Sequence, residues 1–267
     1  MTTRLLPTLM VDKVWGCTQL PPPFAAPPGE RIGEIWFDPP AELSQVLVKY
    51  LFTSEKLSVQ VHPSDANAMP GEAGKEECWL VLDAEPDACL AIGFKQPTTA
   101  EEMTAAALDG TIEQLLEWHP ARPGDFFYLP AGTVHAIGPG LALLEVQQNS
   151  DTTFRLYDYG RPRELHLERG VAVADLQSYP ARHRASIAER GQALVDAQYF
   201  RIDRVEGAPD RDTVASYRSG LLVLPLSGEV VSRSDALSAC AGECLYADDL
   251  ADIDFSNAGT TLLVRAN

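Results

Sequence analysis

The chain has 267 residues and a net charge of −17, from 38 acidic and 21 basic residues. This acidic balance argues against a nucleic-acid-binding surface, because neutralising phosphates requires clustered Lys and Arg. An anionic small molecule remains compatible with it, provided that the few basic residues are concentrated in one local site.

The N-terminal segment lacks the long apolar core and small-residue cleavage site of a secretory signal, and no apolar run reaches the length of a membrane span. The five cysteines are scattered and odd in number, which does not predict a disulfide framework. We therefore expect a cytoplasmic protein without membrane partners.

Short apolar runs bounded by Gly and Pro predict β-strands in the first third of the chain. The runs are GEIWF (33–37), QVLVKYLF (45–52), LSVQV (57–61), ECWLVLD (77–83) and CLAIGF (89–94). Only a short polar connection joins the last two runs, so we expect them to pair with each other.

The pattern changes near residues 98–118, where Ala, Leu and Glu predict a helical insertion. Thr99 and Glu102 have the spacing of a capping box. Asp109-Gly110 predicts a break between two helices.

Strand patterns then return, and a weaker helical pattern lies at 163–176. The strand runs are GDFFYLP (124–130), GLALLEVQQ (140–148), YFRIDRV (199–205), GLLVLPLSGEVV (220–231), GECLYADDL (242–250) and TTLLVRA (260–266). Many short strands separated by Gly and Pro turns predict a β-sandwich or jelly roll. We expect one domain over residues 1–195 and a smaller β-domain over residues 196–267 that covers an edge of the first domain's sheet.

Polar side chains alternate with apolar ones in LSVQVHP (57–63). Ser58, Gln60 and His62 would share one face of a strand. The same alternation fits a half-buried strand whose polar face meets water, so the remaining residues of that face decide between the two interpretations.

Candidate metal ligands come from three separate segments. His135 ends GDFFYLPAGTVH, in which Pro and Gly force a tight turn, and Glu77 begins a strand with Lys75 on the same face. With Gln60 and His62, these segments supply two imidazoles, one carboxylate and one amide oxygen. Two His and one carboxylate are a common ligand set for Zn and for non-haem Fe(II). The remaining histidines are predicted to be structural: His119, His166 and His183.

Seven segments over roughly residues 13–170 resemble, in order, those of type I phosphomannose isomerases (mannose-6-phosphate isomerases), most closely the short bacterial form. They are KVWG (13–16), GEIW (33–36), LVKYL (47–51), LSVQVHP (57–63), GKEECW (74–79), PGDFFYLPAGTVHAIG (123–138) and EVQQNSDTTFRLYDYGR (145–161). GDFFYLPAGTVH resembles the second cupin motif, and LSVQVHP resembles the first with its initial His replaced by Gln. The chain departs from the family pattern at Ser64 and in having no residues between YDYGR and PRELH.

The resemblance implies a mainly β fold with a few helices: a cupin (jelly-roll) catalytic domain followed by a smaller cupin-like β-domain. It implies a metal-dependent isomerase that interconverts mannose 6-phosphate and fructose 6-phosphate through an enediol intermediate. It also implies one Zn²⁺ per chain, bound by the four ligands Gln60, His62, Glu77 and His135.

By the same resemblance Arg155 is a catalytic residue, and five further residues match positions that line the pocket: Glu145, Lys75, Lys49, Ser58 and Glu34. Glu145 and Lys49 also interrupt apolar strands, which predicts an ion pair because buried charges require partners. We favour Glu145 as the base and expect Arg155 and Lys75 either to stabilise negative charge on oxygen or to hold the phosphate. A lysine or a metal-bound water remains an alternative base.

Two other functions remain open at this point. An Fe(II) cupin oxygenase would use the same two imidazoles and carboxylate. A non-catalytic cupin that binds a sugar phosphate would keep the pocket without turnover. In each sugar-phosphate interpretation the expected partner is a sugar phosphate, with no nucleic acid and no membrane.

Overall fold

The computed structural model describes residues 2–187 and 193–267. In the first half of the chain the strands are β1 (Thr3–Leu5), β2 (Thr8–Cys17), β3 (Ile32–Phe37), β4 (Val46–Thr53), β5 (Val59–Val61), β6 (Glu77–Ala84), β7 (Cys89–Phe94), β8 (Leu116–Pro120), β9 (Asp125–Leu129), β10 (His135–Ile137), β11 (Leu141–Gln148) and β12 (Phe154–Tyr157). The strands that follow are β13 (Arg184–Ser186), β14 (Ala193–Asp196), β15 (Phe200–Glu206), β16 (Leu221–Pro225), β17 (Gly228–Ser232), β18 (Ser238–Cys240), β19 (Leu245–Ala247), β20 (Ile253–Ala258) and β21 (Thr260–Ala266).

The α-helices of the described residues are α1 (Ala100–Asp109), α2 (Ile112–Leu115), α3 (Leu167–Val173) and α4 (Arg211–Ser216). Short 3₁₀ segments lie at Ala41–Leu43, Ala181–His183 and Leu250–Asp252. None of the helices in this part of the chain has the length and apolarity needed to cross a membrane.

The strands form four antiparallel sheets. A seven-stranded sheet has the order β13-β9-β6-β11-β4-β3-β2 and a five-stranded sheet the order β12-β5-β10-β7-β8. A six-stranded sheet has the order β1-β19-β16-β21-β15-β14, and a three-stranded sheet the order β18-β17-β20. One apolar core lies between the seven- and five-stranded sheets and another between the six- and three-stranded sheets. The mainly β, cupin-type fold predicted from the sequence is confirmed.

The seven-stranded sheet is covered on both faces. Tyr50 and Phe52 of β4 belong to the same core as Leu222 of β16 and Val264 of β21 in the six-stranded sheet. The alternate residues of β4 face the five-stranded sheet. All eight residues of β4 are therefore buried, as are all eight of β11. The six-stranded sheet thus packs across a face of the seven-stranded sheet, and not along its edge as the sequence suggested.

The predicted pairing of ECWLVLD with CLAIGF is wrong. β6 pairs with β9 and β11, whereas β7 pairs with β8 and β10 in the facing sheet. The chain therefore crosses from one sheet to the other between these strands. This crossover places β6, which begins with Glu77, opposite β10, which begins with His135.

The predicted capping box is confirmed at the start of α1. The Thr99 hydroxyl accepts the N–H of Glu102 at 3.1 Å, and the Glu102 carboxylate accepts the N–H of Thr99 at 3.0 Å. Gly110 ends the helix with φ of 83°, a left-handed conformation that glycine adopts readily. The helical prediction extended too far, because residues 116–120 pair with β7 as β8.

The N-terminal segment joins the C-terminal sheets. β1 pairs with β19, and β14 (Ala193–Asp196) lies across the point at which we divided the chain. The division into residues 1–195 and 196–267 stays a prediction.

We expect Leu222→Ala to lower the free energy of unfolding by about 2–5 kcal/mol, the usual cost of removing a buried leucine side chain. Leu222 is 1% exposed in the core shared by the six- and seven-stranded sheets. Leu9→Ala, at a leucine that is 60% exposed, is the matched control and should change stability by less than about 0.5 kcal/mol. Chemical denaturation measures both, and equal losses would contradict the proposed packing.

Candidate active site

A cavity of about 440 Å³ opens between the seven- and five-stranded sheets. This volume is within the range of small-molecule sites. Seven of the residues singled out from the sequence line it: Glu34, Lys49, Ser58, Gln60, Lys75, Glu145 and Arg155. His62, Glu77 and His135 lie buried beside the floor of the cavity, each no more than 2% exposed. The polar side chains of LSVQVHP thus lie at this cavity and its floor, and not on a surface that faces bulk water.

Strand alternation brings these side chains together. Glu145 of β11 lies directly opposite Lys49 of β4. Both side chains point away from the core that the six- and seven-stranded sheets share. In the facing sheet, Gln60 of β5 lies opposite both His135 of β10 and Arg155 of β12.

The two histidines are oriented in the same way. His62 Nδ1 lies 2.9 Å from the carbonyl oxygen of Thr152, and His135 Nδ1 lies 2.9 Å from that of Thr133. Donation from each Nδ1–H leaves Nε2 as the unprotonated nitrogen, which lies 3.5 Å from Glu77 in His62 and 3.4 Å from Glu77 in His135. Second-shell hydrogen bonds of this kind orient metal-binding imidazoles.

Burial favours neutral imidazoles at this position. Burial lowers the pKa of His62 well below its usual range, and the positive charge of Lys75 adds to the effect. Burial also lowers the pKa of His135, although the negative charge of Glu77 opposes the shift. Neutral imidazole is the form that binds metal.

Glu77 supplies a buried anion between the imidazoles. Burial alone would raise the pKa of Glu77, but the positive charge of Lys75, 2.7 Å away, holds it below its usual value. Its Oε1 is buried and accepts no hydrogen bond from the described residues. One potential ligand atom from each of His62, Glu77 and His135 lies within 4.8 Å of the others. This donor set fits a divalent ion such as Zn²⁺.

The amide of Gln60 lies at the edge of this cluster. Its Nε2 is 3.2 Å from His135 Nε2, and its Oε1 accepts the hydroxyl of Ser58 at 3.2 Å. Rotating the Gln60 amide by 180° exchanges the positions of its oxygen and nitrogen. Gln60 would have to adopt this rotated orientation to bind a metal through its oxygen.

Alternating charges run from the cavity wall to this cluster. Lys13 Nζ lies 3.0 Å from Glu34, Lys49 Nζ lies 3.5 Å from Glu34 and 3.0 Å from Glu145, and Lys75 Nζ lies 3.6 Å from Glu145 and 2.7 Å from Glu77. The predicted Glu145–Lys49 ion pair is therefore present. Trp79 also donates its indole N–H to Glu145 Oε2 at 2.9 Å. Pairing of this kind offsets the desolvation of buried charges.

Several lining residues were not predicted as site residues: Lys13, Trp36, Gln147 and Arg163. Each lies in or next to a segment quoted for the family resemblance, which was the available signal. The remaining histidines lie outside the cavity lining. His166 accepts the backbone N–H of Arg155 at 3.2 Å, whereas His119 contacts Arg184.

Glu34 should make stability depend on pH. Burial alone would raise the pKa of Glu34. The positive charges of Lys49 and Lys13 have the larger combined effect, so the pKa of Glu34 lies below its ordinary value of 4.5. A carboxylate with a lowered folded-state pKa stabilises the protein above its unfolded pKa, and this contribution is lost as the pH falls through the folded pKa. Above about pH 4.5 we expect the wild-type protein to have a larger free energy of unfolding than Glu34→Gln. This difference in unfolding free energy, the gap between the two proteins, should close at lower pH.

Denaturation curves recorded over this pH range measure the gap. Glu30→Gln removes one negative charge from an exposed position and is the matched control. It should show neither the gap nor its closure. A gap between wild type and Glu34→Gln that is independent of pH would contradict the assignment.

Two curated proteins are similar to this chain in sequence. Mannose-6-phosphate isomerase ManA of Bacillus subtilis is 48% identical over 172 residues, which cover 60% of this chain and 54% of that protein. The protein named probable mannose-6-phosphate isomerase GmuF, from the same organism, is 35% identical over 236 residues, which cover 80% of this chain and 74% of that protein. The chain thus spans about half the length of the first relative. No protein-family model matches the chain.

Solved structures resemble the fold over its whole length. The mannose 6-phosphate isomerase from Bacillus subtilis has a TM-score of 0.81 and 25% identity, covering 99% of this chain and 100% of that one. A zinc-bound mannose 6-phosphate isomerase has a TM-score of 0.73 and 17% identity, covering 100% of both chains. At this lower identity the second likeness concerns the fold alone.

Proposed function

This chain belongs to the mannose-6-phosphate isomerase family, and from this premise we propose that it interconverts mannose 6-phosphate and fructose 6-phosphate with one bound Zn²⁺. The observation that carries the proposal is the buried His62, Glu77 and His135 cluster beside a cavity lined by lysines and Arg155. The relatives compared above are isomerases, which does not favour an Fe(II) oxygenase or a non-catalytic binding protein.

His62, Glu77 and His135 would hold the metal, and Gln60 would complete the set through its amide oxygen. When bound, Zn²⁺ supplies Lewis acidity and holds substrate oxygens in place. The neutral imidazoles and the lowered pKa of Glu77 support this assignment, because metal ligands must be deprotonated.

Aldose–ketose isomerisation moves one proton between C2 and C1 of the open-chain sugar. A base takes the proton from C2, the C–H electron pair forms the C1–C2 double bond, and the carbonyl oxygen at C1 accepts a proton, which gives the enediol. The O2 hydroxyl then loses its proton as C1 regains one. Negative charge develops on oxygen during each transfer, and fixed positive groups stabilise it.

We assign these roles to residues of the cavity wall. Glu145 is the proposed base, and Lys75 and Arg155 are the proposed stabilisers of negative charge on oxygen. Lys75 contacts both Glu145 and Glu77, so it links the base to the metal ligands. Lys49, Ser58 and Glu34 are proposed to bind the sugar hydroxyls, since all three line the same cavity.

The remainder of the proposal concerns the whole chain. Within residues 2–187 and 193–267, the only group of three side chains placed to share an ion is the one named above. We therefore assign catalysis to residues 1–195 and a supporting role to residues 196–267. A cytoplasmic location without nucleic-acid or membrane partners stays part of the proposal, and the net charge of −17 supports the exclusion of nucleic acid.

We expect His135→Ala to lose both bound zinc and isomerase activity, because it removes an imidazole from a site with few ligands. Elemental analysis of the purified protein and a coupled isomerase assay measure the two quantities, and a chelator should abolish wild-type activity. His119→Ala is the control, since His119 lies outside the cavity lining. Chelator-resistant isomerisation, or full zinc content in His135→Ala, would refute the metal assignment.

We expect Glu145→Gln to lower kcat by about 10²–10⁴-fold, the usual contribution of a general base, while zinc content stays at the wild-type level. Exchange of the C2 hydrogen with solvent deuterium, followed by NMR, should fall in parallel. Glu117→Gln, at an exposed position of β8, controls for the loss of one carboxylate. Undiminished exchange in Glu145→Gln would assign the proton transfer to another group.

A further inference from the structure

Two arginines lie at the rim of the cavity: Arg155 on β12 and Arg163 in the turn that follows. We propose that Arg163, held in place by the buried carboxylate of Asp158, binds the phosphate group of the substrate and selects phosphorylated over neutral sugars. This inference rests on the proposed function and deepens it. Asp158 is then a positioning residue, because it acts through Arg163.

The contact between Asp158 and Arg163 is a fixed two-point bond. Asp158 is 2% exposed, and its oxygens accept Nε of Arg163 at 2.6 Å and Nη2 at 2.5 Å. Paired bonds of this kind fix a guanidinium in one orientation. Nη1 of Arg163 makes no hydrogen bond within the described residues and is left for a ligand.

The turn that carries Arg163 is itself anchored. Arg161 contacts Asp158 at 3.3 Å, Glu55 at 3.0 Å and the carbonyl oxygen of Lys56 at 2.9 Å. Tyr159 and Gly160 adopt positive φ values of 55° and 76°, which reverse the chain tightly. No residues separate YDYGR from PRELH in this chain, so only a short turn connects β12 to Arg163 at the cavity.

Arg155 lies beside Arg163 with its charge uncompensated. Its Nη1 donates to the carbonyl oxygen of Glu164 at 3.0 Å, and its Nε is buried without an acceptor among the described residues. No ion pair in this part of the chain includes Arg155. Burial first, and then the positive charge of Arg163, lower the pKa of Arg155, whereas the negative charges of Asp158 and Glu164 oppose the shift.

The other cations of the cavity are already paired. Lys13, Lys49 and Lys75 each contact a glutamate, Arg161 contacts Asp158 and Glu55, and Arg163 contacts Asp158. Among the described residues, Arg155 is therefore the cation of the cavity lining that has no ion-pair partner, in a chain whose net charge is −17. A planar guanidinium with free N–H groups matches the geometry of a phosphate dianion.

The rim position also suits a charged group of the substrate. The Arg163 side chain is 32% exposed, while those of His62 and Glu77 are 3% and 1% exposed. Phosphate is the most strongly hydrated part of a hexose phosphate, so binding it at the mouth leaves the sugar carbons for the buried groups. Electrostatic attraction at the mouth would also speed the capture of an anion.

The test compares Arg163→Met with Arg4→Met. Both variants remove one arginine that pairs with a carboxylate, but Arg4, which contacts Glu42, lies outside the cavity lining. The measurements are KM and kcat for mannose 6-phosphate, the inhibition constant of inorganic phosphate, and that of the neutral polyol mannitol. Calorimetric binding of inorganic phosphate provides a readout that does not require turnover.

We expect Arg163→Met to weaken phosphate inhibition and raise KM by about 10–100-fold, as the loss of a hydrogen bond to a charged group predicts. Mannitol inhibition should change by less than about twofold, within the range of a surface substitution. Asp158→Asn should have a smaller effect in the same direction, and Arg4→Met should leave phosphate binding close to wild type.

Arg163→Lys keeps a cation that can pair with Asp158 and protects the test if Arg163→Met does not fold. It should bind phosphate more weakly than wild type and more tightly than Arg163→Met. Unchanged phosphate binding in Arg163→Lys and Arg163→Met, or an equal loss in Arg4→Met, would overturn the proposal. If wild type binds phosphate through Arg163 but shows no isomerase activity, the proposed function fails and the phosphate assignment stands.

Discussion

Burial of the seven-stranded sheet on both faces is the constraint on which the rest of the structure depends. Its outward face packs on the C-terminal sheets, so its inward face can carry charge only if those charges pair within the cavity. Lys49 and Glu145 meet this condition because they lie in register on neighbouring strands. Exposing the outward face to water would lose about 25 cal/mol of stabilisation for each Å² of apolar surface. The C-terminal sheets therefore stabilise the strands that carry the site, although they do not line the cavity.

The same constraint preorganises the chemistry. Each imidazole is oriented by a backbone carbonyl, and each lysine of the wall is held by a carboxylate, so few groups need to move when a substrate binds. Groups fixed in advance stabilise developing charge without a reorganisation cost. At the buried end each lysine contacts a glutamate, whereas at the rim Arg155 has no ion-pair partner among the described residues and Arg163 pairs with Asp158.

Much of the fold and the site could be predicted from the sequence because the relevant signals are local. The capping box at Thr99 and the breaks at Gly110 and around residues 130–132 depend only on residues within a few positions of one another. Alternation placed Gln60 and His62 on one face for the same reason. The pairing of the strands that begin at Glu77 and Cys89 was predicted wrongly, since a short connection serves a hairpin and a crossover between facing sheets equally well.

What the sequence by itself determined is the set of chemical groups: two imidazoles, a glutamate, an amide, and charged residues in apolar strands that had to find partners. Only the tertiary structure decided which side of each strand faces the cavity, that Arg163 returns to its rim, and that the C-terminal sheets cover a face and not an edge. The physical reason is that these outcomes follow from contacts between residues far apart in the chain. Local propensity and periodicity carry no information about which distant surface completes a buried face.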